Sequence, residues 1–239
     1  MIKKVLFASL FFSGFSFGQM GESFGGSFGF NVEAVNFERG QLNTYLDANN
    51  LEKGDLPEIG VGLVWNFVVD PLLITLDYSS SGTEENYTTS VVKNGFETFG
   101  VSIGYSLLED HKYLLYPYVG FRSLTYSYTS RSFVSESTDF NQSLTQYNAF
   151  TAIQNRMYSA DFGIGFTSLT SLGFSLKIGS NLPVVQSRWF NSLNDDKLNN
   201  GPDLKSLFYI KTAITFGGSH NDRDHYPEPL EKNPQNEEK

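Results

Sequence analysis

The segment YSADFGIGF, residues 158–166, decides the fold because its side chains alternate strictly between two kinds. One set is Tyr158, Ala160, Phe162, Ile164 and Phe166, and the other is Ser159, Asp161, Gly163 and Gly165. Successive side chains of a β-strand point to opposite sides of the sheet. The segment therefore predicts a strand with one apolar face and one face that is small, polar and charged.

The same alternation returns in seven other segments of the chain. Their apolar faces fall within residues 28–34, 59–67, 72–78, 99–105, 115–121, 174–178 and 208–216. None of these faces carries a charge, whereas the opposite faces are rich in glycine, serine, threonine and charged side chains. Strands of about ten residues with this pattern, separated by turns, are typical of β-strands that cross a membrane.

The lengths of the connections indicate which face points outward. Alternation alone also fits a soluble barrel with an apolar cavity. Short connections are predicted at 70–71, 109–112 and 170–171, and long ones at 36–56, 82–94, 129–154 and 184–205. Short turns on one rim and long loops on the other are typical of outer-membrane barrels. We therefore predict an all-β fold, an eight-stranded antiparallel up-and-down transmembrane β-barrel with its apolar faces toward lipid.

The two ends of the chain differ in character from this middle part. Lys3 and Lys4 precede a short apolar run, and small residues follow, which predicts a signal peptide over residues 1–18 with cleavage before Gln19. The barrel is predicted over 19–216, and residues 217–239 read as a flexible C-terminal tail. Strand parity places the long loops outside the cell and the tail in the periplasm. Pro117 falls inside the fifth strand, where we expect a bulge because proline cannot donate to the ladder.

Six charged residues fall on the polar strand faces and are predicted to meet inside the barrel. They are Glu33, Asp77, Arg122, Asp161, Lys177 and Lys211. An eight-stranded barrel is just wide enough for side chains to fill it, and an unpaired charge there costs several kcal/mol. We therefore expect an ion-paired, filled interior. The alternative interpretation is a narrow ion path or a buried proton relay.

The first long loop carries Leu42, Tyr45 and Leu46 at helical spacing, followed by Asp47 and, later, Pro57. This pattern predicts a short amphipathic helix over the barrel mouth or along the membrane surface. The helix is either a lid held by its own leucines or a surface on which a partner docks.

The sequence offers no arrangement for catalysis. It has no cysteine, and its three histidines fall in a short turn and in the tail, away from the rim of long loops. A base for acid–base chemistry is therefore missing at that rim. We predict no catalytic residue, no cofactor and no metal, and hence no enzyme. A net charge of −9 argues against nucleic acid as a partner.

Residues 19–216 resemble the small eight-stranded outer-membrane barrels of Gram-negative bacteria. The segments LNTYL (42–46), DLP (55–57), GVG (60–62) and PYVG (117–120) are similar to a pattern in barrels of the Bacteroidota, as is a mature start at glutamine. Phe216 resembles the terminal aromatic residue that the barrel-assembly machinery recognises, although this chain continues beyond it. The resemblance implies a location in the cell outer membrane among its lipids, and it implies no activity.

Three hypotheses of function follow. The first is a non-enzymatic structural or interaction protein, a subunit of an outer-membrane complex that meets outer-membrane or periplasmic proteins through its loops and tail. The second is a small passive channel, which requires a water path past the interior charges. The third is a lipid-modifying enzyme at the outer rim, which lacks a visible base.

Overall fold

A computed structural model describes residues 23–56, 58–108, 112–132, 150–199 and 201–221. The elements in chain order are β1 (Ser23–Glu38), α1 (Gly40–Ala48), β2 (Ile59–Val69), β3 (Leu72–Asn86), β4 (Ser90–Tyr105), β5 (Tyr113–Ser132), β6 (Phe150–Ser168), β7 (Leu172–Asn191), β8 (Lys197–Leu198) and β9 (Lys205–Asn221). The predicted signal peptide lies outside the described residues and stays a prediction.

Eight of these strands close into one antiparallel barrel. Each barrel strand pairs with its neighbours in the chain, β7 pairs with β9, and β1 pairs with β9 to complete the ring. The two residues of β8 only extend a hairpin on β7 and stand apart from the ring. The predicted eight-stranded up-and-down barrel is confirmed. In the described part of the chain, no helix has the length and apolar character needed to cross a membrane.

The strands are staggered, so they tilt against the barrel axis. Cross-strand partners can be followed from Ser180 on β7 through β6, β5, β4, β3, β2 and β1 until the circuit reaches Gly218 on β9. The direct partner of Ser180 on β9 is Phe208, ten residues from Gly218. A closed sheet with such a stagger has strands inclined by about 40°.

The apolar faces point outward, as predicted. Phe30, Ile164 and Val119 are 61%, 61% and 68% exposed, whereas the charged residues of the opposite faces are buried. On β2 the outward apolar side chains run from Ile59 to Val69. Ten residue steps of about 3.4 Å, tilted by about 40°, span about 26 Å, the height of the apolar band of a membrane barrel. The outer surface is therefore matched to lipid hydrocarbon.

One predicted loop is wrong. Residues 82–94 were expected to form a long loop, but β3 continues to Asn86 and β4 begins at Ser90, so that a tight turn joins them. The Tyr87 N–H donates to the Ser90 carbonyl oxygen at 2.7 Å. The hairpin extends beyond the apolar band, where its outward side chains face water and, apart from Val91 and two glycines, are polar. The apolar alternation that reveals a membrane strand is consequently absent there.

The expected bulge at Pro117 is also wrong. The register of β5 with β6 runs unbroken through Pro117, and the ladder with β4 ends at Tyr118. The Leu115 carbonyl oxygen accepts from the Leu107 N–H, which follows β4. Residues two apart in a strand direct their backbone groups to the same neighbouring strand, so the Pro117 nitrogen also faces β4. It lies past the end of that ladder, where no donor is needed. The register shifts occur instead on β1 near Val35 and between β6 and β7 near Pro183.

The end of the barrel lies slightly beyond the predicted boundary. Strand β9 continues past Phe216 to Asn221, and its last five residues pair with the start of β1. The flexible tail was predicted from residue 217, so residues 217–221 belong to the sheet instead. Residues 222–239 lie outside the described residues.

Candidate functional site

The six interior charges predicted from the sequence come together in the middle of the barrel. Each stands on a different strand, and none is more than 2% exposed. The site is a buried layer of three acids and three bases, formed by Glu33, Asp77, Arg122, Asp161, Lys177 and Lys211. We call this set the interior charge layer. Charges removed from water this completely must be paired to be tolerated.

Glu33 on β1 contacts side chains from three other strands. It forms ion pairs with Arg122, which reaches across the barrel from β5, and with the Nζ atom of Lys211 on β9 at 3.2 Å. Thr98 on β4 donates its hydroxyl to Glu33 Oε2 at 2.9 Å. A single carboxylate therefore links β1, β4, β5 and β9 through the barrel interior.

Asp77 on β3 lies between two lysines that face each other. Lys177 and Lys211 are direct cross-strand partners on β7 and β9, and like charges so placed repel one another. Asp77 forms ion pairs with both, at 3.4 Å from the Nζ atom of Lys177. Gly100 on β4 leaves the room that this carboxylate needs, because a Cβ atom there would lie 2.9 Å from Asp77 Oδ1.

Two tyrosines complete the layer, and sequence reasoning assigned them no role. The Tyr209 hydroxyl donates to Asp161 Oδ2 at 2.8 Å and lies 2.9 Å from the Tyr118 hydroxyl. The Arg122 guanidinium stacks 3.9 Å from the centroid of Tyr209, and Lys177 lies 4.3 Å from that of Tyr118. Both tyrosines occur on polar strand faces, which was the available signal that they point inward.

Below the charges, toward the rim of short turns, the barrel is filled by apolar side chains. The cluster consists of Val68, Leu73, Leu114, Tyr116, Tyr118 and Leu169. The ring of Tyr116 lies where Cβ atoms of Gly104 and Gly165 would stand, so these two glycines make room for it. This end of the barrel is closed by packing.

Above the charges, toward the rim of long loops, a larger aromatic cluster fills the barrel. Its members are Val35, Leu42, Leu46, Val92, Phe96, Leu124, Tyr126, Tyr128, Met157, Trp189, Leu204 and Tyr209. Leu42 and Leu46 come from α1 and are 2% and 3% exposed, whereas Tyr45 is 49% exposed. The helix is thus a lid held by its leucines. Leu42 and Leu46 are unavailable to a partner, because they are buried in the chain's own core.

The segment after α1, residues 51–56, is bonded into the mouth, and we call it the strap. Asn94 donates to the carbonyl oxygens of Lys53 and Asp55 at 3.1 Å each, and the Tyr128 hydroxyl donates to that of Glu52 at 2.7 Å. Glu85 accepts from the Asp55 N–H. These bonds hold the strap against the inner wall of the extended hairpin.

Hydrogen bonds also shift two titrating groups beside the strap. The Tyr87 hydroxyl donates to Glu85 Oε2 at 2.6 Å. This bond, supported by the Asp55 N–H, holds the pKa of the Glu85 carboxyl below its ordinary value. The same bond raises the pKa of Tyr87 to about 12. Glu85 is therefore a carboxylate at neutral pH and can keep accepting both bonds.

The arrangement as a whole fills the barrel along its axis: apolar cluster, charge layer, aromatic cluster and helical lid. Within the described residues, no group of three or more histidines, aspartates or glutamates is arranged to hold a metal ion. Glu33 and Asp77 are ion-paired with Arg122, Lys177 and Lys211, whereas Asp161 accepts a hydrogen bond from Tyr209. Chemically, these contacts are suited to holding the strands in register.

Comparison with known proteins gives a likeness of fold. No family model and no curated protein sequence matches the chain. Among solved structures, Ail, the attachment invasion locus protein of Yersinia pestis, in complex with a heparin analogue, is 13% identical, with 82% of this chain and 100% of that chain covered and a TM-score of 0.38. A major outer membrane protein from Thermus thermophilus is 11% identical, with 80% and 99% covered and a TM-score of 0.41. CarO of Acinetobacter baumannii is 14% identical, with 79% and 96% covered and a TM-score of 0.35. These proteins are small outer-membrane β-barrels, and the present chain is similar to them in fold alone.

Proposed function

We propose that this chain is a non-enzymatic integral outer-membrane barrel that acts as a rigid scaffold, a subunit of a larger outer-membrane protein complex. In this proposal the long loops face outward and the tail enters the periplasm. Partners meet the protein through these loops and the tail. The proposal includes that the chain is an outer-membrane barrel of the Bacteroidota type, which its sequence resembles.

The observation that carries the proposal is the succession of buried side-chain clusters along the barrel axis. A channel needs a water path, but the axis is occupied by two apolar clusters with the ion-paired layer between them. A lipid-modifying enzyme needs a reactive group at the loop rim, and among the described residues there Leu42 and Leu46 close the mouth. A barrel closed in this way offers only its outer surface, its loops and its tail for function.

Chemical cross-linking in cells, followed by gentle solubilisation, tests the subunit role. A tag placed after Lys239 allows the cross-linked species to be isolated and its mass compared with that of the processed monomer. We expect a discrete species that contains a second protein. Exclusive recovery of the monomer, at cross-linker levels that capture a known complex of the same membrane, would refute the role.

Conductance across a planar bilayer tests the closed interior separately. We expect no current steps from the folded protein under an applied voltage. Steady, reproducible current steps from the unaltered protein would favour the channel hypothesis over ours.

A further inference from the structure

Two arginines stand opposite each other on the outer surface, above the apolar band on the loop side. Arg156 on β6 and Arg188 on β7 are direct cross-strand partners. Both lie on the outward side of their strands, since the neighbouring Asn155 and Trp189 are buried inside. Like charges in this position repel, so the pair destabilises the sheet unless an anion lies between or above them.

The carboxylates among the described residues nearby leave part of this charge uncompensated. Asp195 accepts from Arg156 at 2.6 Å and from Gln154 at 3.1 Å. Asp196 accepts from the Asn194 amide instead. Arg156 also stacks 4.6 Å from the centroid of Phe190, which fixes its plane. Arg188 is exposed, and no described residue forms an ion pair or hydrogen bond with it.

Directly below the arginines, toward the membrane, lies an apolar patch. Tyr158 and Val185 are the next outward cross-strand partners below the pair and are 41% and 43% exposed. Two register shifts near Pro183 add two residues to β7, so Val184 is also outward and 62% exposed, beside Leu182 at 61%. On β5, by contrast, the outward residues between Phe121 and Arg131 are serines and threonines. The apolar surface therefore reaches higher on β6 and β7 than on the neighbouring β5.

We propose that Arg156 and Arg188 bind the phosphate of a membrane lipid in the leaflet at the loop rim, with an acyl chain lying along Leu182, Val184 and Val185. Charge complementarity identifies the headgroup: guanidinium groups bind phosphate through paired, charge-assisted hydrogen bonds. The apolar patch below them identifies the ligand as a lipid rather than a soluble anion. This inference depends on the membrane barrel and is independent of the scaffold role.

Native mass spectrometry of the full-length processed protein in dodecyl maltoside micelles tests the site. The probe is lipid A with both phosphates, and the comparison lipid has the same acyl chains without phosphate. We expect one tightly retained lipid A, and an apparent affinity about tenfold weaker in each of Arg188→Gln and Arg156→Gln, the loss expected for one charge-assisted bond. Arg131→Gln on β5 is the matched control, an exposed outward arginine outside the pair, and should bind as the unaltered protein does.

Thermal or urea unfolding gives a second measurement, in which the effect of losing an arginine depends on whether lipid A is present. In micelles without phosphate, Arg188→Gln should leave stability unchanged or raise it, because it relieves the repulsion. With lipid A added, the unaltered protein should gain more stability than either single variant, because each variant binds the lipid about tenfold more weakly.

Three results would overturn the proposal. The first is retention of lipid A that is equal in all variants, and the second is an equal loss in Arg131→Gln, which would mean general charge attraction. The third is full displacement of lipid A by millimolar inorganic phosphate, which would mean a simple anion site.

Discussion

Replacing Asp77 by asparagine should leave two facing lysines inside the barrel without their shared counterion. Lys211 keeps Glu33 as a partner, but Lys177 keeps only a hydrogen bond to the Ser102 hydroxyl at 3.0 Å and the face of Tyr118. Removing one partner of a buried ion pair costs about 3–5 kcal/mol of unfolding free energy. We therefore expect a loss of about 4 kcal/mol in Asp77→Asn.

The second arm of the experiment removes the lysine that Asp77→Asn leaves without a carboxylate partner, Lys177. Lys177→Met alone leaves Asp77 paired with Lys211, so the expected loss is smaller, about 1–3 kcal/mol. In the double variant Asp77→Asn/Lys177→Met, two acids again face two bases. Its loss should stay about 2–3 kcal/mol below the sum of the single losses, the coupling expected of a direct pair.

Urea unfolding in lipid vesicles, followed by tryptophan fluorescence, measures these values. The chain has two tryptophans, of which Trp189 is buried in the interior and Trp65 lies on the lipid-facing side of β2. Glu97→Gln, an exposed carboxylate on β4, is the control and should change stability by less than about 0.5 kcal/mol. Strict additivity of the single losses would show that Asp77 and Lys177 do not act as a pair, and the reasoning about the charge layer would fail.

Three other changes test the packing and the strap. Gly165→Ala should lower the unfolding free energy by about 1–3 kcal/mol, because the added methyl group meets a tyrosine ring, whereas Gly40→Ala, with open space around it, should not; both are read by urea unfolding. Leu46→Ala should speed trypsin cleavage within the strap while Tyr45→Ala should not, since only the leucine is buried; equal cleavage rates would contradict the lid. Hydrogen bonds lower the pKa of Glu85 from its ordinary value of 4.5. The bonds that it accepts should therefore be intact above pH 4.5 and lost as the pH falls through the lowered pKa, below 4.5. The strap's amide NMR signals should shift in that window and should not shift in Glu85→Gln.

The outward and inward faces of the strands could be predicted because strand alternation is a local property. Phe30 and Ile164 were assigned to the outer face and Glu33 and Asp161 to the inner face from position alone, and the barrel confirms each. The hairpin of β3 and β4 was missed because it extends into water, where a strand needs no apolar face. Its inward side chains, such as Asn94, bond to the strap, a contact between residues distant in sequence.

The sequence by itself determined the class of fold, the strand count and the set of charges that must share the interior. These depend on the alternation of side chains and the length of the connections, which are local properties of the sequence. Only the tertiary structure decided which of these charges pair with each other. Closing the sheet with a stagger of ten residues brings Arg122 to Glu33 and places Asp77 between two lysines. It also turned the helix leucines inward and set Arg156 against Arg188 on the outer surface. Such contacts depend on the register of strands far apart in sequence, which local alternation does not specify.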